Sequence, residues 1–302
     1  MRAAIDLRGF IRALDARRCA AHVAARFAVL GLALGLAIYG PWYVMPFAFV
    51  LIGVAQYHIL VLSHEAQHRL IARDRRLNDL IGAWCLAYPF GQPFHSERAR
   101  HLAHHHLVGE PTDPDFQRYV LDDKRPWRPM LLYFARLAAY GKVWEYLSSA
   151  WLRRARPAVP SPDDTRSGGE LVVVATVQLV LLATFTLLAS PWSYFVFWLA
   201  PLCLVTTTLS EFRELCEHAS APETPLHLKT FRAPVWQRLV IGPVGFAYHA
   251  EHHLYPSIPH YWLPEVARRH PQTDEFEVHA SYFDVLRRCR SGTVAAPTAS
   301  CA

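Results

Sequence analysis

The chain has 302 residues, 52% of them apolar, with 31 Lys and Arg against 25 Asp and Glu, a formal charge of +6. Its six cysteines (Cys19, Cys85, Cys203, Cys216, Cys289 and Cys301) are scattered without a C-x-x-C pair, which argues for reduced thiols and against a disulfide framework or an iron–sulfur site. The basic surplus suits a protein face turned toward anionic lipid or toward an acidic electron carrier, and no nucleic-acid module accompanies it.

Arg2, Arg8, Arg12, Arg17, Arg18 and Arg26 precede a stretch from Phe27 to Ser63 that contains no Asp, Glu, Lys or Arg. A spanning helix needs about 20 apolar residues, so this stretch has the length of two spans. Gly40-Pro41 interrupts it, which predicts a helical hairpin with spans over 22–40 and 42–63, Arg26 snorkelling toward the interface. No apolar signal core with a small-residue cleavage site precedes the first span. After it, Leu77 to Phe94 is apolar but contains Asn78, Asp79 and two prolines, and reads as a re-entrant or interfacial segment. Met130 to Leu152 mixes Arg136, Lys142 and Glu145 with apolar residues at helical spacing, the pattern of a helix lying in the interface. Arg156 to Gly169 reads as a surface loop. A second charge-free stretch, Leu171 to Ser210, is broken at Ser190-Pro191 and predicts spans over 170–189 and 191–210. Residues 291–302 are small and polar, a disordered tail in expectation.

These elements predict an all-α integral membrane domain over residues 1–290, with four transmembrane helices in two hairpins. The hairpin tips, Gly40-Pro41-Trp42 and Ser190-Pro191-Trp192, are uncharged, whereas the termini and the middle segment are rich in arginine. The positive-inside rule then puts both termini and a helical cap on the cytoplasmic side.

Seventeen histidines occur in the chain, and eight fall into three groups: His64-Glu-Ala-Gln-His68, His101-Leu-Ala-His104-His105 and His249-Ala-Glu-His252-His253. Spacings of i, i+3 and i+4 put each group on one face of a helix. Imidazole is a common metal ligand, and eight of them exceed what one four-coordinate zinc can use, so the pattern points to two transition-metal ions. His218, just past the fourth predicted span, is a ninth candidate ligand. Glu214 precedes it by four residues on the same face, as a water-bridged ligand or as its hydrogen-bond partner. Glu65, Asp113, Asp115, Glu217 and Glu251 flank the groups, where carboxylates can orient ligating rings and offset the metals' charge. His22, His58, His95, His106, His227, His260, His270 and His279 read as surface or core histidines. His106 in particular turns roughly 100° away from its neighbours on a helix.

The first group also matches the HExxH pattern of zinc peptidases, with Glu65 as general base. A peptidase does not need two H-x-x-H-H groups, and the Asp-Gly pair usual in intramembrane members is absent from the chain. A carboxylate-bridged di-iron bundle would use paired Glu-x-x-His motifs, of which Glu65-Ala-Gln-His68 is one. A metal transporter would carry its ligands along a path within the spans.

The order HxxxH, HxxHH, HxxHH around two membrane hairpins resembles the membrane fatty-acid desaturase and hydroxylase superfamily, from the first hairpin to about Pro264. Glu110-Pro-Thr-Asp-Pro-Asp115 and His252-His253-Leu-Tyr-Pro256-Ser-Ile-Pro259 add to the likeness. The resemblance implies a centre of two non-haem iron ions with O2 as co-substrate. Its ligands would be His64, His68, His101, His104, His105, His249, His252 and His253, with His218 as the additional one. The third group begins with His249 where many front-end desaturases have Gln, and no His-Pro-Gly-Gly motif of a fused haem domain occurs. Electrons are therefore expected from a separate donor such as ferredoxin or a reductase-linked carrier. The implied reaction is desaturation of a fatty acyl chain or acyl-like amphiphile, with hydroxylation on the same centre as the alternative.

Overall fold

Asp15 starts the first long helix: its carboxylate accepts the N–H groups of Arg17 and Arg18 at 2.9 and 3.2 Å, satisfying donors that have no intrahelical partner. The structure, a computed structural model, describes residues 14–119, 131–132, 134–135, 167–219, 227–269 and 275–291. Helix α1 (Ala16–Tyr39) ends at Gly40, and a 3-10 turn over Trp42–Val44 leads into α2 (Met45–Gln67), which has Pro46 in its first turn, where a missing N–H costs nothing. Helix α2 runs four residues past the predicted limit of the span and delivers His64 on its last turn. Its end is built by Arg69, which adopts φ +61°, while the Arg69 and Leu70 N–H groups donate to the Ala66 and Glu65 carbonyls, each at 3.0 Å. This is a Schellman ending, with the left-handed position filled by arginine instead of the usual glycine.

The segment predicted as re-entrant or interfacial is helical. It comprises α3 (Arg75–Leu80), a π-helical continuation over Ile81–Ala87 and a 3-10 turn over Tyr88–Phe90. Leu77, Leu80 and Trp84 are exposed on it, as suits an apolar boundary. Helix α4 (Phe94–Leu107) follows, then a turn through Gly109 at φ +87° and the short α5 (Phe116–Tyr119). Of the predicted interfacial helix Met130–Leu152, only Leu131, Leu132, Phe134 and Ala135 are among the described residues, and they are helical. The predicted loop Arg156–Gly169 lies outside them except at its end, where α6 (Ser167–Leu188) already begins.

The break at Ser190-Pro191 separates α6 from a fourth helical stretch. It begins with α7 (Pro191–Tyr194), passes through π-helical turns at Phe195–Leu199 and Leu202–Thr206, and ends as α8 (Thr207–His218). This stretch outlasts the predicted span by eight residues, so His218 is the last residue of the helix. Among the described residues, four helices are therefore long and apolar enough to cross a membrane: Ala16–Tyr39, Trp42–Gln67, Gly169–Leu188 and Pro191–His218. Large apolar side chains such as Leu32, Phe47, Leu179 and Leu187 point outward from them, the arrangement expected when lipid is the solvent. The second and fourth helices approach closely at Gly53, where an added Cβ would lie 2.4 Å from Val205 Cβ. Across the same contact Gln56 Nε2 donates to the Trp198 carbonyl at 3.0 Å and Thr206 Oγ1 to the Gly53 carbonyl at 2.8 Å.

Beyond α8 the chain folds over the same end of the bundle. Strand β1 (Lys229–Phe231) pairs in parallel with β2 (Glu277–His279), Thr230 opposite Val278, a small exception to the all-α architecture. Between them lie α9 (Val235–Val240), α10 (His249–Leu254) and α11 (Leu263–Arg269), and α12 (Tyr282–Ser291) follows β2. The predicted tail starts at the end of α12, and residues 292–302 lie outside the described residues. Tyr119, Leu215, Phe231, Ile241, Tyr282 and Val285 form the core of this cap, apart from the core of the spans.

Candidate metal centre

Three helix ends supply the histidine groups: the end of α2, the last two turns of α4, and α10. All nine predicted histidines converge. Ligand nitrogens of His64, His68, His101, His105 and His252 lie within 4.8 Å of one another, and those of His104, His218 and His253 form a second such set. His249 joins the second set, its Nε2 2.8 Å from His218 Nε2. Nε2 atoms face each other throughout: His68 and His101 at 2.7 Å, His101 and His105 at 3.0 Å, His105 and His252 at 3.2 Å, His104 and His218 at 3.2 Å. His106, one residue beyond the second group, is exposed and belongs to neither set.

The outward nitrogens explain why the rings hold these positions. His104 Nδ1 lies 3.0 Å from both oxygens of Asp113, and His218 Nδ1 donates to the His227 carbonyl at 2.9 Å. A proton fixed on Nδ1 leaves the Nε2 lone pair free for a metal. Glu217 Oε2 lies 3.3 Å from His249 Nδ1. Asp113 is itself positioned by the Asp115 N–H at 2.8 Å and by the Tyr119 hydroxyl, which donates to its Oδ2. The Gly109 turn makes this geometry: its N–H donates to Tyr119 Oη at 3.0 Å, and its positive φ turns the chain back toward α4.

The other predicted carboxylates have different partners. Glu65 accepts from the His260 N–H at 3.0 Å and pairs with His260 Nδ1 at 2.9 Å. Glu214 accepts from Arg118 at 3.0 Å, Glu251 from the Thr230 hydroxyl, and Asp115 from Arg100. Asp113 and Glu217 lie 3.0 and 3.3 Å from the His104 and His249 rings, and carboxylate oxygens of Asp113 and Asp115 lie within 4.8 Å of a His104 nitrogen.

The donor set suits transition-metal ions. Burial, reinforced by neighbouring imidazoles, holds His101, His252 and His253 well below the ordinary imidazole range and takes His105 down to about 2, so these rings are neutral. Burial pushes His104 the same way, but the bond to Asp113 and the nearby Asp115 charge outweigh it and raise the ring above its ordinary value. Both nitrogens of His253 are buried without a hydrogen-bond partner, as are the Nδ1 atoms of His64, His105 and His252. Buried polar atoms are rarely left unsatisfied, and an ion between the rings would engage one of the two His253 nitrogens.

A cleft of about 100 Å³ opens against His64, His101, His104, His218 and His249. Tyr57 and Val61 on α2 and Arg213 and Glu217 on α8 form its inner wall.

Sequence reasoning missed several residues that hold this arrangement. His260 is fully buried between Glu65 and His22, its Nε2 2.8 Å from His22 Nδ1. Glu170, at the start of the third span, accepts the N–H groups of His95 and Ser96 at 2.7 and 3.1 Å and the Tyr88 and Ser96 hydroxyls at 3.0 Å each. It thereby caps the first turn of α4 from another helix. The one available signal was a lone acidic residue opening an otherwise apolar span.

Comparison with known proteins agrees with this geometry. Residues 10–284 match the family described as fatty acid desaturase. Dihydrorhizobitoxine desaturase of Bradyrhizobium elkanii is 26% identical over 271 residues, covering 83% of this chain and 74% of that protein. The sn-1 oleoyl-lipid 12-desaturase of Anabaena variabilis is 25% identical over 74% of this chain and 67% of its own length. A beta-carotene ketolase of Paracoccus sp. is 24% identical over 76% of this chain and 86% of its own. A match over nearly the whole chain, on four long apolar helices that gather nine histidines, has one consequence: the chain belongs to the fatty acid desaturase family and is an oxidoreductase.

Proposed function

We propose that the chain is an O2-dependent di-iron desaturase that introduces a double bond into a fatty acyl chain or acyl-like amphiphile. The observation that carries this reading is the convergence of nine imidazoles into two adjoining sets. The ligands are His64, His68, His101, His105 and His252 in one set and His104, His218, His249 and His253 in the other. Two bound iron ions would supply the O2-derived oxidizing power that no side chain possesses. The chain's own residues hold and orient the ligands: Asp113 fixes the His104 ring, the His227 carbonyl fixes His218, and His104, His218, His249 and His252 are buried. In the balanced reaction the substrate loses two hydrogens, a donor supplies two electrons, two protons enter, and O2 leaves as two waters. A separate protein, ferredoxin or a reductase-linked carrier, is the donor in this reading. The arginine-rich termini and middle segment, set against uncharged hairpin tips, support a cytoplasmic position for both termini and the histidines under the positive-inside rule.

Hydroxylation of an acyl chain or other amphiphile is the second reading, favoured by the likeness to a ketolase, whose name implies oxygen insertion. One experiment separates the two: expression with candidate substrates, metal analysis of the purified protein and mass analysis of the products. About two irons per chain are expected from the excess of imidazoles over one tetrahedral site. A product lighter by two hydrogens means desaturation, and one heavier by an oxygen atom means hydroxylation. One zinc per chain with peptidase activity would overturn both readings.

A further inference from the structure

Arg213 lies on α8 inside the fourth apolar stretch and faces the cleft beside the histidines. An ionisable side chain at that level faces a partner or a substrate path. Its guanidinium sits over the Phe246 and Tyr57 rings at 5.5 and 5.9 Å, and Nε lies 3.2 Å from Glu217 Oε2. Its Nη1 nevertheless has no hydrogen-bond partner although it is buried. The other cations lining the cleft are committed: Arg100 to Glu97 and Asp115, and Arg118 to Glu214. Arg100 and Arg118 each pair with two or more carboxylates, whereas Arg213 is seen paired with Glu217 and has a buried, unpartnered donor at Nη1.

We propose that Arg213 binds the anionic end of the substrate, a carboxylate, within the cleft, and that the carbon oxidised lies close to that end. The inference rests on the di-iron reading for the oxidation, but the binding step does not depend on it. Guanidinium matches carboxylate in planar shape and charge, and the pairing is strongest where water is excluded. Glu217 Oε2, the partner of Arg213, also lies 3.3 Å from His249 Nδ1, so a single carboxylate separates the guanidinium from a candidate ligand ring. A substrate acid held at Arg213 therefore reaches the histidines through roughly three to six C–C bonds of about 1.5 Å. The cleft's free volume of about 100 Å³ suits a head group of a few heavy atoms. A mid-chain carbon of a lipid-esterified acyl group, remote from a neutral ester, does not meet this geometry.

The test uses the iron-loaded full chain in detergent, titrated calorimetrically with hexanoate and with its neutral isostere hexanamide. Hexanoate is expected to bind at least about tenfold more tightly than hexanamide, in line with a charge-assisted bond. Arg213→Met should abolish that difference, and Arg213→Lys should keep part of it, with iron content unchanged in both. Equal binding of acid and amide by the parent protein, a measurement that needs no variant, would overturn the proposal. So would Arg213→Met that still prefers the acid, or a turnover product oxidised far beyond six bonds from its carboxylate. If the parent protein lacks iron but prefers hexanoate through Arg213, the di-iron reading fails and the anchor stands.

Discussion

Asp113→Asn is the most informative single change near the histidines, because it alters charge and hydrogen bonding while conserving shape. Asp113 is almost fully buried and receives three donors: His104 Nδ1 at 3.0 Å, the Asp115 N–H at 2.8 Å, and the Tyr119 hydroxyl. Aspartate accepts all three. Asparagine has one acceptor oxygen and an amide that must donate, so at least one of the three donors is left facing an N–H. If that donor is His104, the ring gains by moving its proton to Nε2, the nitrogen that faces His218 at 3.2 Å. A proton there removes the lone pair a metal would use.

Loss of one charged hydrogen bond costs about 1.5–3 kcal/mol, and loss of an outer partner to a ligating histidine typically lowers metal affinity about 10–100-fold. The two scales agree. The assay loads purified parent and variant with iron, titrates both with a chelator, and measures the iron retained at each step, with helicity followed by circular dichroism. The variant's midpoint should fall at about 10–100-fold lower chelator at unchanged helicity. Identical retention curves would refute the role given to Asp113, and loss of helicity would show that the carboxylate holds the fold more than the ring.

The remaining predictions concern ligands and backbone. His218→Ala should lower iron content and abolish turnover, whereas His106→Ala, exposed and outside both histidine sets, should leave iron content at the parent level. Arg69→Gly should stabilise the protein by about 1 kcal/mol, because a side chain in the left-handed region costs about 1–2 kcal/mol that glycine does not incur. A melting temperature in detergent that falls below the parent's would count against this. Gly53→Val would drive a Cβ to 2.4 Å from Val205 Cβ and 3.0 Å from the Pro201 carbonyl, so it should cost at least about 1–3 kcal/mol and reduce the yield of folded protein. Full yield and an unchanged melting temperature would show that the second and fourth helices separate without penalty.

Charge and spacing made the spans and histidine groups legible, since both are local in sequence. Phe27–Ser63 and Leu171–Ser210 declare themselves by what they lack, and Gly40-Pro41 and Ser190-Pro191 mark the turns. The true helix ends were not legible, because absence of charge marks apolar surroundings and not the limit of hydrogen bonding. Glu211, Arg213, Glu214 and Glu217 end the charge-free run, yet they continue the helix with their charges turned to Arg118, to one another and to the cleft. The supporting shell was legible only in part. Asp113 lies nine residues from His104, within reach of a short turn, whereas Glu170 meets Ser96 across 74 positions and His260 meets Glu65 across 195. Such pairings belong to tertiary contact and leave no periodic trace. His227 contributes its backbone carbonyl, which any residue could supply, so its side chain carried no information about the role.

The string His64-Glu65-Ala-Gln-His68 shows what spacing alone leaves open. In a zinc peptidase the glutamate must lie within hydrogen-bond reach of a metal-bound water. Here Glu65 is fully buried, and its Oε2 takes both the backbone N–H and the Nδ1 of His260, whose other nitrogen meets His22 on the first helix. Oε2 thus receives two hydrogen bonds, at 3.0 and 2.9 Å, while Oε1 is buried without a partner. The same two bonds join the end of α2 to the segment that follows α10, and thus tie the first histidine group to the third. Alignment is the work of that one oxygen, Oε2. The pentapeptide has the spacing of a peptidase motif, while one oxygen of its glutamate joins the first histidine group to the third.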